Sequence, residues 1–227
     1  MSRWLFSALL ICANALALPA FADPLLASAV LPTSRATQIG NTVTAFATII
    51  NAGTSAGEAC GIALNSELPI DFSYQTTNNA DNSSFGPADT PVNLAVGQAQ
   101  SFAISFTMTG TFDTTDVALE FSCSNGGTAS VISSLNTILL TSSALAIPDV
   151  VALVATVDNT GYSEINGADG TGVFSVATSN VGDSGDLVVT ADAGDNGPAV
   201  NVLLCDCLLY TSPSPRDLST SRMPSSA

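Results

Sequence analysis

The stretch Asn41 to Gly57, NTVTAFATIINAGTSAG, decides the fold. A ten-residue run with β-forming character ends in Asn51-Ala52-Gly53, and a loop of small residues follows. On an extended backbone Val43, Ala45, Ala47 and Ile49 share one face, while Thr42, Thr44, Phe46, Thr48 and Ile50 share the other. This is the pattern of the central strand of a sandwich. A similar unit recurs at Gly172 to Gly185, GVFSVATSNVGDSG, where Phe174 to Thr178 run into Asn180-Val181-Gly182. Two related β modules in tandem are expected.

Outward from this stretch, the ends of the chain differ from its middle. Residues 1–22 carry Arg3, an apolar stretch from Trp4 to Leu18 and the triplet Ala20-Phe21-Ala22. This is the three-part pattern of a secretory signal peptide, with the mature chain expected to begin at Asp23. The apolar part falls short of the roughly 20 residues needed to cross a bilayer. At the other end, Cys207 to Asp217, CLLYTSPSPRD, resembles a translation of the transposase adapter used in DNA sequencing libraries, and Ser221 to Ala227, SRMPSSA, resembles the translated flow-cell primer. Residues 207–227 are therefore expected to be an adapter-derived, disordered artefact, with the native chain truncated near Asp206.

Between those ends, residues 23–206 contain a single basic residue, Arg35, no lysine or histidine, and eighteen acidic residues, a net charge of −17. Such a surface repels nucleic acid and anionic lipid and favours cations or basic partners. Self-repulsion makes salt a stabiliser. Long 3.6-residue periodicity is lacking, and short alternating runs are separated by Gly, Pro, Asn and Asp clusters, so the class is all-β. No segment after the signal peptide is long and apolar enough to span a membrane, because Pro148-Asp149 interrupts the longest apolar run, Ala144 to Val157.

In the first module, residues 23–146, strands are expected near 26–31, 41–50, 59–64, 70–75, 100–108, 117–123 and 131–141. Seven short strands point to an immunoglobulin-like β-sandwich. Cys60, Ile62 and Leu64 share one face of the third, and Val117, Leu119, Phe121 and Cys123 share one face of the sixth. If those two strands are neighbours in one sheet, a Cys60–Cys123 disulfide is geometrically possible in an oxidising compartment. Two buried free thiols are the alternative. The polar segment Thr76 to Thr90 reads as a surface loop, a common place for binding.

Pro148-Asp149 opens a second, partial β module, residues 147–206, with strands expected near 150–157, 172–179, 187–191 and 199–205. Four strands are too few to close a sandwich, and Cys205 has no evident partner. Asp158, Asp169, Asp183, Asp186, Asp192 and Asp195 lie in three Asp/Asn/Gly-rich loops between these strands. Calcium takes six to eight oxygen ligands, and such loops supply them, although none has the EF-hand spacing. The same residues also suit plain turns. No other cofactor is indicated.

Without histidine there is no Ser-His-Asp arrangement, and without lysine no Schiff base or phosphate-loop motif in the mature native part. The carboxylate pairs Asp113 with Asp116 and Glu67 with Asp71 stand at turns or strand starts, where aspartate is ordinary. Catalysis is not expected. The strand-then-Asn-x-Gly pattern at Phe46 to Gly53 and Phe174 to Gly182 resembles bacterial surface immunoglobulin-like repeats of the CARDB/DUF11-like type, with Ala52 and Val181 where those repeats usually have Thr. That resemblance implies structural stalks and adhesion or presentation domains, with no shared catalytic residues. The expected function is an exported, non-enzymatic structural or adhesive cell-envelope module that is secreted, periplasmic or on the cell surface, with other envelope proteins or glycans as partners. The alternative is a calcium- or glycan-binding module.

Overall fold

The computed structural model describes residues 23–188 apart from 79, 161, 168 and 169. The contacts divide the chain into two units, Met1–Gly185 and Asp186–Ala227. The expected signal peptide at 1–22, the expected adapter-derived tail at 207–227, Cys205 and the strand expected at 199–205 lie outside the described residues.

Nine strands form two facing sheets. The first sheet runs β1 (Leu26–Leu31), β3 (Thr42–Asn51), β7 (Ala99–Met108) and β5 (Ile70–Thr76) from edge to edge. The second runs β2 (Ser34–Gln38), β9 (Thr137–Ser143), β8 (Phe112–Ser122), β4 (Gly57–Leu64) and β6 (Val92–Leu94). All pairings are antiparallel except β2 with β9. The chain passes from β1 in one sheet to β2 in the other across the cis Leu31–Pro32 peptide. Strand β3 is interior, as its alternation predicts, and Val43, Ala45, Ala47 and Ile49 are all buried.

The core joins both sheets. Phe102, Ile104, Phe106 and Met108 of β7 meet Ile62 of β4, Leu119 and Phe121 of β8, and Ile138 and Leu140 of β9 in one cluster. Full burial of each large side chain contributes about 1.5–3 kcal/mol relative to exposure, which is how alternation along a strand selects its inward face. Aromatic contacts add to this on the β5 side, where Phe72 packs on Phe106 and Tyr74 meets Phe102 edge-on.

A separate antiparallel hairpin, β10 (Val150–Thr156) with β11 (Phe174–Asn180), follows the sandwich. Its side chains are largely exposed.

Four strand expectations change. Ser34–Gln38 and Val92–Leu94 are strands with no alternating signal: β2 is uniformly half-buried at an edge, and β6 has only three residues. Residues 131–136, expected as the start of the last strand, are a loop. There Asn136 Oδ1 accepts the Ile132 amide at 2.7 Å and the Asn136 amide donates to the Ile132 carbonyl at 3.1 Å, closing a turn. Residues 187 and 188 are not in a strand, and 189–191 lie outside the described residues.

Candidate functional site

Strands β4 and β8 are hydrogen-bonded neighbours, with Gly61 opposite Ser122 and Ile62 opposite Phe121. The next pair along is Cys60 and Cys123, and they form a disulfide with Cα atoms 3.9 Å apart. It joins two adjacent strands of one sheet and closes a loop with a sequence separation of 63. Gly57 lies against it: a Cβ there would stand 2.6 Å from Cys60 Sγ and 2.7 Å from Cys123 Sγ.

The two Asn-x-Gly turns are built alike. Asn51 Oδ1 accepts the Gly53 amide at 3.1 Å, and Asn51 Nδ2 donates to the carbonyls of Ser55 and Leu94. Likewise Asn180 Oδ1 accepts the Gly182 amide at 3.1 Å, and Asn180 Nδ2 donates to the Asp183 carbonyl at 2.7 Å. In both, the amide of the middle residue donates to the residue just before the partner strand, Ala52 to Leu25 and Val181 to Asp149, each at 2.8 Å. Both glycines are needed for close approach. A Cβ on Gly53 would lie 2.5 Å from the Leu25 nitrogen, and one on Gly182 would lie 2.5 Å from the Asp149 nitrogen.

The corresponding positions Leu25 and Asp149 part company in chemistry. Leu25 is exposed. Asp149 is the one buried carboxylate among the described residues, and it meets Arg35. Its Oδ2 accepts from Arg35 Nε at 2.9 Å and Nη2 at 2.8 Å, and its Oδ1 accepts the Ala36 amide at 2.9 Å. Arg35 Nη1 donates to the Thr44 carbonyl. A buried carboxylate is tolerated when its lone pairs are met by charged guanidinium donors, here both on Oδ2, and a backbone amide. Ser34 Oγ donates to the Val150 carbonyl at 3.2 Å, and Asn180 Oδ1 accepts the Asp149 amide at 2.9 Å. Strand β2 of the sandwich thereby holds the start of the second hairpin. A cleft of about 390 Å³ beside this junction is lined by Arg35, Gln38, Asn41, Asp149, Gly182 and Asp183, among others. Sequence reasoning missed this pair, although a lone cation in so acidic a chain was its signal.

Of the loop expected at 76–90, Thr76 ends β5 and is buried with Thr77, while the other described residues, 78 and 80–90, are exposed at the β5 edge. Asp89 Oδ1 accepts the Tyr74 amide at 2.9 Å, and the Asp89 amide returns to the Tyr74 carbonyl at 2.8 Å. Burial, and then the Asp89 carboxylate, push the Tyr74 hydroxyl pKa above its ordinary value. At the loop tip, Ser83 donates from both its hydroxyl and its amide to Asp81, holding that carboxyl below the usual range.

Of the calcium candidates, Asp169, Asp192 and Asp195 lie outside the described residues. Asp158, Asp183 and Asp186 are exposed, and Asp183 Oδ1 accepts the Ser184 amide at 2.8 Å. Among the described residues no group of three or more His, Cys, Asp or Glu is gathered. The carboxylates Asp113, Asp116, Glu67 and Asp71 are exposed, with Asp116 accepting the Ser133 hydroxyl at 2.6 Å. Among the described residues no helix is long and apolar enough to cross a membrane.

No protein-family model and no curated protein matches the chain. Solved structures that bear a distant likeness include the following two. One is a family 123 glycoside hydrolase from Clostridium perfringens, with TM-score 0.36 and 9% identity over 53% of this chain and 27% of that one. The other is AvmM, which catalyses macrocyclization in alchivemycin A biosynthesis, with TM-score 0.33 and 11% identity over 74% of this chain and 93% of that one. The chain thus spans about a quarter of the hydrolase's length. Neither likeness bears on activity.

Proposed function

We propose that the chain is an exported, non-enzymatic structural or adhesive module of a bacterial cell envelope, made of immunoglobulin-like repeats of the CARDB/DUF11-like kind. The observation that carries this reading is the repetition of the Asn51 turn at Asn180, with the second copy tied to the first through Asp149. Tandem copies joined by a side-chain lock are a way to build a stalk. The split of the first strands between the sheets, with β2 parallel to β9, supports the immunoglobulin-like assignment. A disulfide between neighbouring strands suits an oxidising compartment, in keeping with the leader-like residues 1–22 and a mature start at Asp23. Fractionation of bacteria expressing the chain tests it. Material recovered outside the cytoplasm, beginning at Asp23 and with Cys60 and Cys123 resistant to alkylation, is expected. Cytoplasmic material with both thiols alkylated, or hydrolytic turnover abolished by Asp113→Asn or Glu67→Gln, contradicts it.

A further inference from the structure

The two outer faces of the sandwich differ in charge. Strands β1, β3 and β7 hold no charged side chain, and β5 contributes only Asp71. The second sheet carries Arg35 on β2, Glu58 on β4, and Asp113, Asp116 and Glu120 on β8. In a chain of net charge −15, the β1, β3 and β7 part of this sheet face is therefore free of charge, with Asp71 and the loop residue Asp89, which accepts the Ser73 hydroxyl at 3.3 Å, confined to its β5 edge.

That face also bears an apolar patch. Leu31, Phe46 and Ile50 are 61%, 48% and 42% exposed. The register sets Leu31 and Ala103 on either side of Phe46, Ala29 and Ser101 beside Thr48, and Ala27 and Ala99 beside Ile50. Large apolar side chains thus stand among small ones on a broad surface. The hydroxyls around them already bond one another: Thr42 Oγ1 to Thr107 Oγ1 at 2.7 Å, and Thr48 Oγ1 to Ser101 Oγ at 2.9 Å. Each pair already satisfies one of its two hydroxyl donors, which lowers the cost of covering it.

We propose that the outer face of the first sheet packs against the same face of a second copy of the chain about a two-fold axis. Charge selects this occupant. Two acidic copies repel wherever their carboxylates meet, whereas this face lets them approach with little like charge opposed. A basic partner would be drawn to the other sheet. Four strands of this length cover roughly 600 Å² per copy, or about 1,200 Å² per pair, at the lower end of specific interfaces. The contact is therefore weak and reversible, and screening of the net negative charge strengthens it. It goes beyond the envelope reading, which a monomer would leave intact.

Sedimentation velocity on the full chain, over a concentration series at about 0.05 and about 0.5 M NaCl, tests the pairing. A reversible dimer that tightens with salt is expected. Phe46→Glu and Ile50→Glu each weaken it by about tenfold or more, with melting temperature and circular dichroism unchanged because both side chains point away from the core. Glu120→Gln on the other sheet does not weaken it. A chain that stays monomeric at every concentration and salt, or a dimer that tolerates both glutamates, overturns the proposal and leaves a different protein as the only occupant to seek.

Discussion

The strand pair β1–β3 and the strand pair β10–β11 each end in the same turn, after Asn51 and after Asn180, and differ in almost everything that surrounds it. Asn51 is 0% exposed, its side chain reaches the Leu94 carbonyl across the sandwich, and every second residue of β3 is buried. Asn180 makes the same bond to the glycine two residues on, but β11 is exposed along its whole length. Turn chemistry alone therefore sets where the second strand of each pair ends, while the stability of the pair comes from what covers the strands. An isolated two-stranded hairpin is marginal in water. The β10–β11 hairpin is held at its first residues by Asp149, where the β1–β3 pair has the exposed Leu25.

The largest effect that tests this contrast lies in the closed sandwich. Cys123→Ser opens a loop whose closure stabilises the fold by about 4 kcal/mol on the chain-entropy model. Urea denaturation should show that loss in the cooperative transition, and a loss under about 1 kcal/mol would mean that the sheet, not the bond, holds β4 to β8. Next come the twin asparagines. Asn51→Ala strands the Gly53 amide and the Leu94 carbonyl, and should cost about 2–3 kcal/mol of global stability. Asn180→Ala, in its exposed setting, should cost less than about 1 kcal/mol. Equal losses would erase the distinction between the two strand pairs. Gly57→Ala pushes a methyl into the disulfide and should cost about 1–3 kcal/mol, whereas Gly40→Ala, with open space around it, meets only the penalty of its positive φ.

The smallest effect is a pH dependence confined to the sandwich. The folded state raises the pKa of Tyr74, so the unfolded chain gives up this proton first as pH rises. Stability from this group is complete below about pH 10, the unfolded tyrosine value, and declines above it. Tyr74→Phe should flatten that alkaline decline. A decline of equal slope in the variant assigns it to other groups.

Much of this was legible in the sequence where burial imposes a period of two. Strands β1, β3 and β7 alternate, and so do the cysteine-bearing faces of β4 and β8, which is why the disulfide could be anticipated. What the sequence hid had no period. Ser34–Gln38 is half-buried on both faces, and Val92–Leu94 needs only Leu94 in the core. Val131, Ile132 and Leu135 gave the opposite error, since they are apolar yet exposed around a turn that Asn136 closes. The Arg35–Asp149 lock spans a sequence separation of 114, beyond the reach of any local pattern. Only the rarity of arginine pointed to it.

Native-state hydrogen exchange on the wild type and on Asp149→Ala tests the central claim most directly. Amides of β3 and β7 should exchange through global unfolding in both proteins, while those of β10–β11 exchange through a smaller opening that Asp149→Ala lowers by about 2 kcal/mol, roughly a thirtyfold faster exchange. Hairpin amides as protected as the core, or unmoved by loss of Asp149, would contradict the account.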